Sequence, residues 1–237
     1  MGGKYKGRRA DAFIFDLDGT LIDSGPDIAA SANFARTHLG LGDLPQPVVI
    51  GYVGDGVVRL LERTLGHDVH TGQTGPAGRP VTREDIDTAL AVFLDHYGRH
   101  LLDTTRLYPG VLDILARYRA FPLMVATNKP GALARRILSG LHVADAFDRI
   151  IGGDETPARK PDPAHLQICL EGLDLDPARV AVVGDSPNDI AAARALGAIS
   201  VGCTYGLVAP GLVKAAGPDL LLDSLTDLNT LFPSRGD

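Results

Sequence analysis

Phe13-Ile14-Phe15 runs straight into Asp16-Leu17-Asp18-Gly19-Thr20, and that junction limits the architectures open to the chain. An apolar β-forming run without alternation reads as a strand buried on both faces, which is the habit of parallel sheets. The two carboxylates fall just past the C-terminal end of that strand. Ligands bind at that edge in open α/β sheets. Gly19 marks a chain already turning.

Between residues 24 and 104 the pattern is helical. Ser24-Gly25-Pro26-Asp27 has the form of a helix start with Ser24 as cap and Asp27 completing a capping box. Ile28, Ala32, Ala35 and Leu39 then share a face until Gly40. Pro45 and Pro47 break the chain, and Gly51-Tyr52-Val53-Gly54-Asp55-Gly56 forms a turn before a helix over Val57–Leu65. Residues 66–81 read as a loop. Thr82 with Asp85 opens a longer helix carrying Ile86, Leu90, Phe93, Tyr97 and Leu101 on one face.

From residue 105 helices and strands alternate. Strands are expected at 121–126, 149–151, 180–183, 200–203 and 220–222, with helices from 110 to 118, to about 139, from 162 to 172 and to 197. This alternation specifies an α/β fold with a parallel sheet covered by helices on both faces. The segments 1–23 and 105–237 would form that core, with 24–104 inserted as a helical unit.

Hydrophobic residues make up 45% of the 237, and there is no Trp, so the core must rest on Leu, Val, Ile and Ala. A net charge of −6 argues against nucleic acid or an anionic membrane as the main partner and leaves a small phosphorylated molecule open. The two cysteines, Cys169 and Cys203, lack metal-ligand spacing and read as buried thiols in a reducing compartment. The basic start is not followed by a signal-peptide core, and no apolar run reaches membrane-spanning length. A soluble, cytoplasmic protein is expected, with residues 1–9 as a tail. Nothing in the sequence specifies an oligomeric state.

Polar clusters follow four of the expected strands: Asp16/Asp18/Gly19/Thr20, Thr127/Asn128, Lys160 after a longer loop, and Asp185/Ser186/Asp189. Strand ends of a parallel sheet share one edge, so these clusters can converge. Paired carboxylates ~4 Å apart repel by about 4 kcal/mol at an effective dielectric near 20. A divalent cation relieves this, and oxygen ligands without His or Cys favour Mg2+. Lys160 would add positive charge. The Thr127 hydroxyl and backbone N–H groups at Gly19 and Asn128 suit phosphate oxygens, with Thr20 beside them as a further substrate-binding candidate. The chemistry this arrangement suggests has Asp16 attacking phosphorus to form an aspartyl-phosphate. Asp18 protonates the leaving oxygen and then deprotonates the hydrolytic water.

Asp16-Leu17-Asp18-Gly19-Thr20-Leu21-Ile22-Asp23-Ser24, Thr127, Lys160 and Gly184-Asp185-Ser186-Pro187-Asn188-Asp189, in this order, resemble the four motifs of the haloacid dehalogenase-like hydrolase superfamily. The resemblance covers nearly the whole chain. It implies a Rossmann-like core with an α-helical cap domain inserted after the first motif. It also implies roles: Asp16 as nucleophile and metal ligand, Asp18 as acid/base and metal ligand through its carbonyl, Asp185 as the other carboxylate ligand, and Asp189 in support.

Within the superfamily, the group acting on 2-phosphoglycolate is the best match. The matching stretches are Tyr52-Val53-Gly54-Asp55-Gly56, Leu107-Tyr108-Pro109-Gly110-Val111, Thr127-Asn128-Lys129-Pro130, Ile151-Gly152-Gly153-Asp154 and Thr204-Tyr205-Gly206. The group carries Asn where this chain has Asp55, and Tyr-Asn where it has Leu207-Val208. Asp55 near an anionic substrate is unfavourable unless it points away or pairs with Arg59. Arg59 is also the candidate for a substrate carboxylate, because Arg can grip one bidentately.

The expected function is therefore Mg2+-dependent hydrolysis of a small phosphomonoester, 2-phosphoglycolate first. Pyrophosphate, sugar phosphates, nucleotides, β-phosphoglucomutase-like transfer and a catalytically silent binding protein are the alternatives. Residues 24–105 contain no lysine, which argues against a phosphonoacetaldehyde hydrolase. Asp18 argues against a haloacid dehalogenase. His96 and His100 lie four apart on a helix, but with no third ligand they read as a solvated face.

Overall fold

The computed structural model describes residues 9–67 and 75–232. The chain divides into two compact units, one made of Met1–Asp23 and Arg106–Asp237, the other of Ser24–Thr105. The expected tail lies almost wholly outside the described residues, as does the middle of the 66–81 loop, residues 68–74.

The discontinuous unit begins with β1, Ala12–Phe15, and a two-residue strand β2, Ile22–Asp23. The other unit is helical: α1 Gly25–His38, α2 Gln46–Ile50, α3 Val57–Leu65 and α4 Arg83–Arg99. The chain then re-enters the first unit as β3, Arg106–Leu107, which pairs antiparallel with β2. Alternation follows: α5 Val111–Arg117, β4 Leu123–Thr127, α6 Gly131–Gly140, β5 Arg149–Gly152, α7 Ala164–Leu170, β6 Val180–Gly184, α8 Pro187–Leu196 and β7 Ile199–Cys203. The chain ends through α9 Pro210–Ala215, β8 Leu220–Leu222 and α10 Leu228–Leu231.

Six strands form one sheet in the order β5-β4-β1-β6-β7-β8, and every pairing is parallel. The α/β expectation holds, and β1 lies inside the sheet, flanked by β4 and β6. Its alternating side chains explain its uninterrupted hydrophobicity. Phe13 packs against Tyr118, Phe121 and Phe232 at ring-centre distances of 4.5, 5.9 and 5.6 Å. Ala12 and Ile14 join Met124, Ala126, Val180 and Val182 in a second cluster with Leu166 and Cys169 of α7 and Ala192 and Ala193 of α8. Each face therefore has its own cover of helix. The chain turns back across β1 to reach β6, which puts the strand ends of β1 and β6 at the reversal of strand order, where such sheets bind ligands.

Local expectations fail at two places in the helical unit. Pro45 and Pro47 do not simply break the chain, because α2 forms around Pro47, which sits in the first turn where no backbone N–H is needed. Ser24 makes no side-chain cap to α1. Asp27, expected to complete a capping box there, instead accepts bonds from the backbone N–H and hydroxyl groups of Thr104 and Thr105. At α4 the expected box is present, with Thr82 and Asp85 capping each other and Arg79 pairing with Asp85 at 2.7 Å. No helix among the described residues is long and apolar enough to cross a membrane.

Candidate active site

Four β–α junctions of the parallel sheet supply the site. Immediately after β1, Asp16 keeps its backbone N–H on β6, donating to the Val183 carbonyl at 2.8 Å. The chain then closes a tight turn, in which Thr20, Leu21 and Ile22 donate back to the Leu17 carbonyl. Gly19 takes φ +86°, and a Cβ there would fall 2.0 Å from Asp185 Oδ2. Glycine is thus required at this position for both its backbone conformation and its missing side chain.

Lys160 is the centre of the cluster. Its Nζ donates to Asp16 Oδ1 at 2.8 Å and to Asp189 Oδ1 at 2.6 Å, with only 3% of its side chain exposed. Burial alone would lower its pKa, but the two carboxylates outweigh burial and hold the ammonium above its ordinary value. The loop carrying Lys160 is clamped by Asn128, whose side chain donates to the Lys160 carbonyl and accepts its N–H, at 3.0 and 3.1 Å. Behind the lysine, His165 is fully buried, and burial followed by the Lys160 charge lowers its pKa to about 4. It is therefore neutral at pH 7 and adds no second positive charge.

Asp189 has two attachments. Its Oδ2 accepts from the Ser186 N–H and hydroxyl, completing the capping box of α8, while Oδ1 faces Lys160. Asp185, one position before the cap, accepts at Oδ2 from the backbone N–H groups of Leu207 and Val208, at 2.7 and 3.2 Å. Gly206 lets that loop approach, since a Cβ on it would meet Asp185 Oδ2 and the Gly19 carbonyl, each at 2.3 Å.

Asp16, Asp185 and Asp189 each offer an oxygen within 4.8 Å of the others, and all three are buried. Burial, helped by the Asp189 and Asp18 charges, outweighs the opposing pull of Lys160 and brings Asp16 up to about 7, while burial followed by the Asp16 and Asp189 charges holds Asp185 well above the usual carboxylate range. Three buried carboxylates around one ammonium are short of positive charge. Both oxygens of Asp189 are committed, to Lys160 and Ser186, whereas among the described residues Asp16 and Asp185 each keep one to spare. An all-oxygen set of this kind fits a hard divalent cation.

Asp18 lies at the margin of this group. Its Oδ1 pairs with Lys129 Nζ at 2.9 Å, with 13% of the Asp18 side chain and 5% of the Lys129 side chain exposed. Lys129 is the residue that sequence reasoning passed over. It stood in a matched stretch, and the available signal was a cation two residues past a fully buried strand. Thr127, at the end of β4, accepts the Lys129 N–H at its hydroxyl (3.2 Å) and so shapes the same turn. Thr20 is fully buried; its hydroxyl has no hydrogen-bond partner among the described residues, and its carbonyl accepts from the Tyr205 hydroxyl at 2.9 Å. Cys169 and Cys203 are free, buried thiols, raised by burial, to about 12 for Cys169.

The helical unit holds the remaining candidates. Asp55 pairs with Arg63 at 2.5 Å, while Arg59, whose pairing was one of the two ways for Asp55 to be accommodated, pairs with Glu62 at 2.7 Å. The reason is helical spacing: Arg59 and Glu62 are three apart on α3, the distance at which side chains meet. Gly54 and Gly56 both take positive φ, +125° and +87°, as a turn into α3 demands. His96 and His100 stack on each other at 4.3 Å, and their Nδ1 atoms meet Ser31 and Asp103.

A family model of haloacid dehalogenase-like hydrolases matches residues 10–197. The phosphoglycolate phosphatase of Chromobacterium violaceum is 39% identical over 223 residues, covering 93% of this chain and 96% of its own. That of Escherichia coli K12 is 36% identical over 224 residues, covering 90% and 89%. Among solved structures, a predicted phosphoglycolate phosphatase from Haemophilus somnus 129pt matches with a TM-score of 0.85 at 31% identity, over 93% of this chain and 97% of that one.

Proposed function

The chain belongs to the haloacid dehalogenase-like hydrolases and is a phosphoric monoester hydrolase, and from that premise we propose that it hydrolyses 2-phosphoglycolate to glycolate and phosphate through an aspartyl-phosphate. The observation that carries this reading is Lys160 bound to Asp16 at the end of the central strand, with Asp18 two residues further on. This arrangement supports reading Asp16 as nucleophile, Lys160 as a fixed cation and Asp18 as acid/base at one edge of the sheet.

In the first step an Asp16 carboxylate oxygen bonds to phosphorus as the bond from phosphorus to the ester oxygen breaks. Asp18 delivers a proton to the departing oxygen. In the second, Asp18 takes a proton from water as that water attacks phosphorus, and the bond from phosphorus to Asp16 breaks. Lys160 favours the ionised form of Asp16 and offsets charge on the phosphoryl oxygens. Asn128 contributes its backbone N–H to those oxygens and Thr127 its hydroxyl; the Gly19 N–H, expected to join them, is instead taken up within the turn by the Ile22 carbonyl at 2.9 Å. Mg2+ held by Asp16, the Asp18 carbonyl and Asp185, with Asp189 in support, would supply the remaining positive charge on the phosphoryl group.

We assign the helical unit the role of substrate-selecting cap. The Asp55–Arg63 pair removes one objection to an anionic substrate, because Asp55 carries its own counter-charge. Arg59 retains its candidacy as a substrate-binding residue, its guanidinium being exposed beside Glu62.

The test is phosphate release from 2-phosphoglycolate, pyrophosphate, sugar phosphates, nucleotides and an aryl phosphate, with and without Mg2+. The highest kcat/KM is expected for 2-phosphoglycolate, with activity abolished by Asp16→Asn. A better substrate elsewhere in the panel overturns the substrate, and activity surviving Asp16→Asn overturns the mechanism.

A further inference from the structure

Lys129 is a second buried lysine of the catalytic unit, and none of the steps above uses it. Lysine is among the residues least often buried, and an enclosed ammonium implies a partner that needs it. Asp16 and Asp189 are served by Lys160. Lys129 instead stands 2.9 Å from Asp18. Its backbone is held on both sides, the N–H by the Thr127 hydroxyl at 3.2 Å and the carbonyl by the Gly153 N–H at 3.0 Å. The ammonium is therefore carried by a defined turn rather than by a loose loop.

Position decides what such a charge can meet. An acid/base group works within roughly 2.6–3.2 Å of the oxygen it protonates. In the reading above that oxygen belongs to the leaving group, so Lys129, beside Asp18, lies on the leaving-group side of the reaction. In glycolate the carboxylate is one carbon away, with an oxygen about 3 Å from the departing one by ordinary bond lengths. We propose that Lys129 Nζ receives the carboxylate of the leaving group, which makes Lys129 a specificity-determining residue for phosphoesters of short hydroxy acids. The inference rests on the phosphatase reading and moves part of substrate selection from the helical unit, where Arg59 was expected to supply it, into the turn after β4.

The experiment compares 2-phosphoglycolate with 2-hydroxyethyl phosphate, which has the same carbon count and an alcohol in place of the carboxylate. The readout is the ratio of the two kcat/KM values in the wild type, Lys129→Met and Lys129→Gln. The glutamine variant retains a polar group should methionine disturb folding. The wild type is expected to prefer 2-phosphoglycolate, and both variants to lower that ratio by tenfold or more, mostly through a higher KM for 2-phosphoglycolate. A preference that survives both substitutions, with both substrates losing activity in parallel, overturns the inference alone and leaves Lys129 as a support for Asp18. A wild type without the preference overturns the substrate reading and the inference together.

Discussion

Gly206 shows how far single atoms determine this site. A methyl group there would meet Asp185 Oδ2 at 2.3 Å, and a carboxylate anchored by two backbone N–H groups has little room to retreat. Gly206→Ala is expected to displace Asp185 and to raise the Mg2+ concentration giving half-maximal activity about 10- to 100-fold, as other disturbances behind a metal ligand do. A Mg2+ titration of phosphate release checks it, and an unchanged midpoint would remove Asp185 from the metal site. Lys160→Met takes away the ammonium shared by Asp16 and Asp189. A loss of roughly 10²–10³ in kcat is expected from the missing electrostatic contribution. The protein should also lose stability, because two buried carboxylates lose their counter-charge. Steady-state kinetics with urea unfolding separates the two effects.

At the scale of elements, α1 and α4 begin in different ways. α4 is capped locally by Thr82 and Asp85, so Thr82→Ala is expected to cost about 1 kcal/mol. Asp27 near the start of α1 holds Thr104 and Thr105, far along the chain, through backbone and hydroxyl groups. Burial pushes the Asp27 carboxyl up, and these hydrogen bonds together outweigh burial and leave it below its ordinary value. With the folded-state value depressed, its contribution to stability is complete above the unfolded-state value of about 3.9 and disappears as pH falls through the folded-state value. Asp27→Asn is therefore expected to lower stability by ~1–3 kcal/mol at neutral pH. The gap from the wild type should narrow as the pH drops below about 4. Urea midpoints measured from pH 3 to 7 test this, and a gap independent of pH would contradict it.

At the scale of the whole molecule, metal binding should appear as stability. A ligand bound only by the folded state at 100 times its dissociation constant adds about 2.7 kcal/mol. Mg2+ is expected to raise the Tm of the wild type, EDTA to reverse the rise, and Asp185→Asn to abolish it; a rise that persists in the variant would place the ion elsewhere. Much of this molecule was legible in the order of its residues. β1, β6 and the α8 cap announce themselves through local rules, namely apolar runs that end on Asp and a Ser-x-x-Asp pattern, which act over a few residues. Alternation after residue 105 was sufficient for a parallel sheet, because parallel strands need a crossover. The strand-end groups could be nominated because a parallel sheet gathers its C-terminal ends at one edge. The partners of charged side chains were not legible in the same way. That Asp55 faces Arg63 and not Arg59, that Asp27 reaches Thr104 and Thr105 and not its own helix, and that Lys129 comes to Asp18 depend on distances across folded chain. Hydrophobic patterning and turn propensity are short-range and repeat along the chain, so the sequence by itself determined strands, helices and the edge where chemistry gathers. Ion pairing is decided by which groups packing brings within about 3 Å, and only the tertiary structure could decide that.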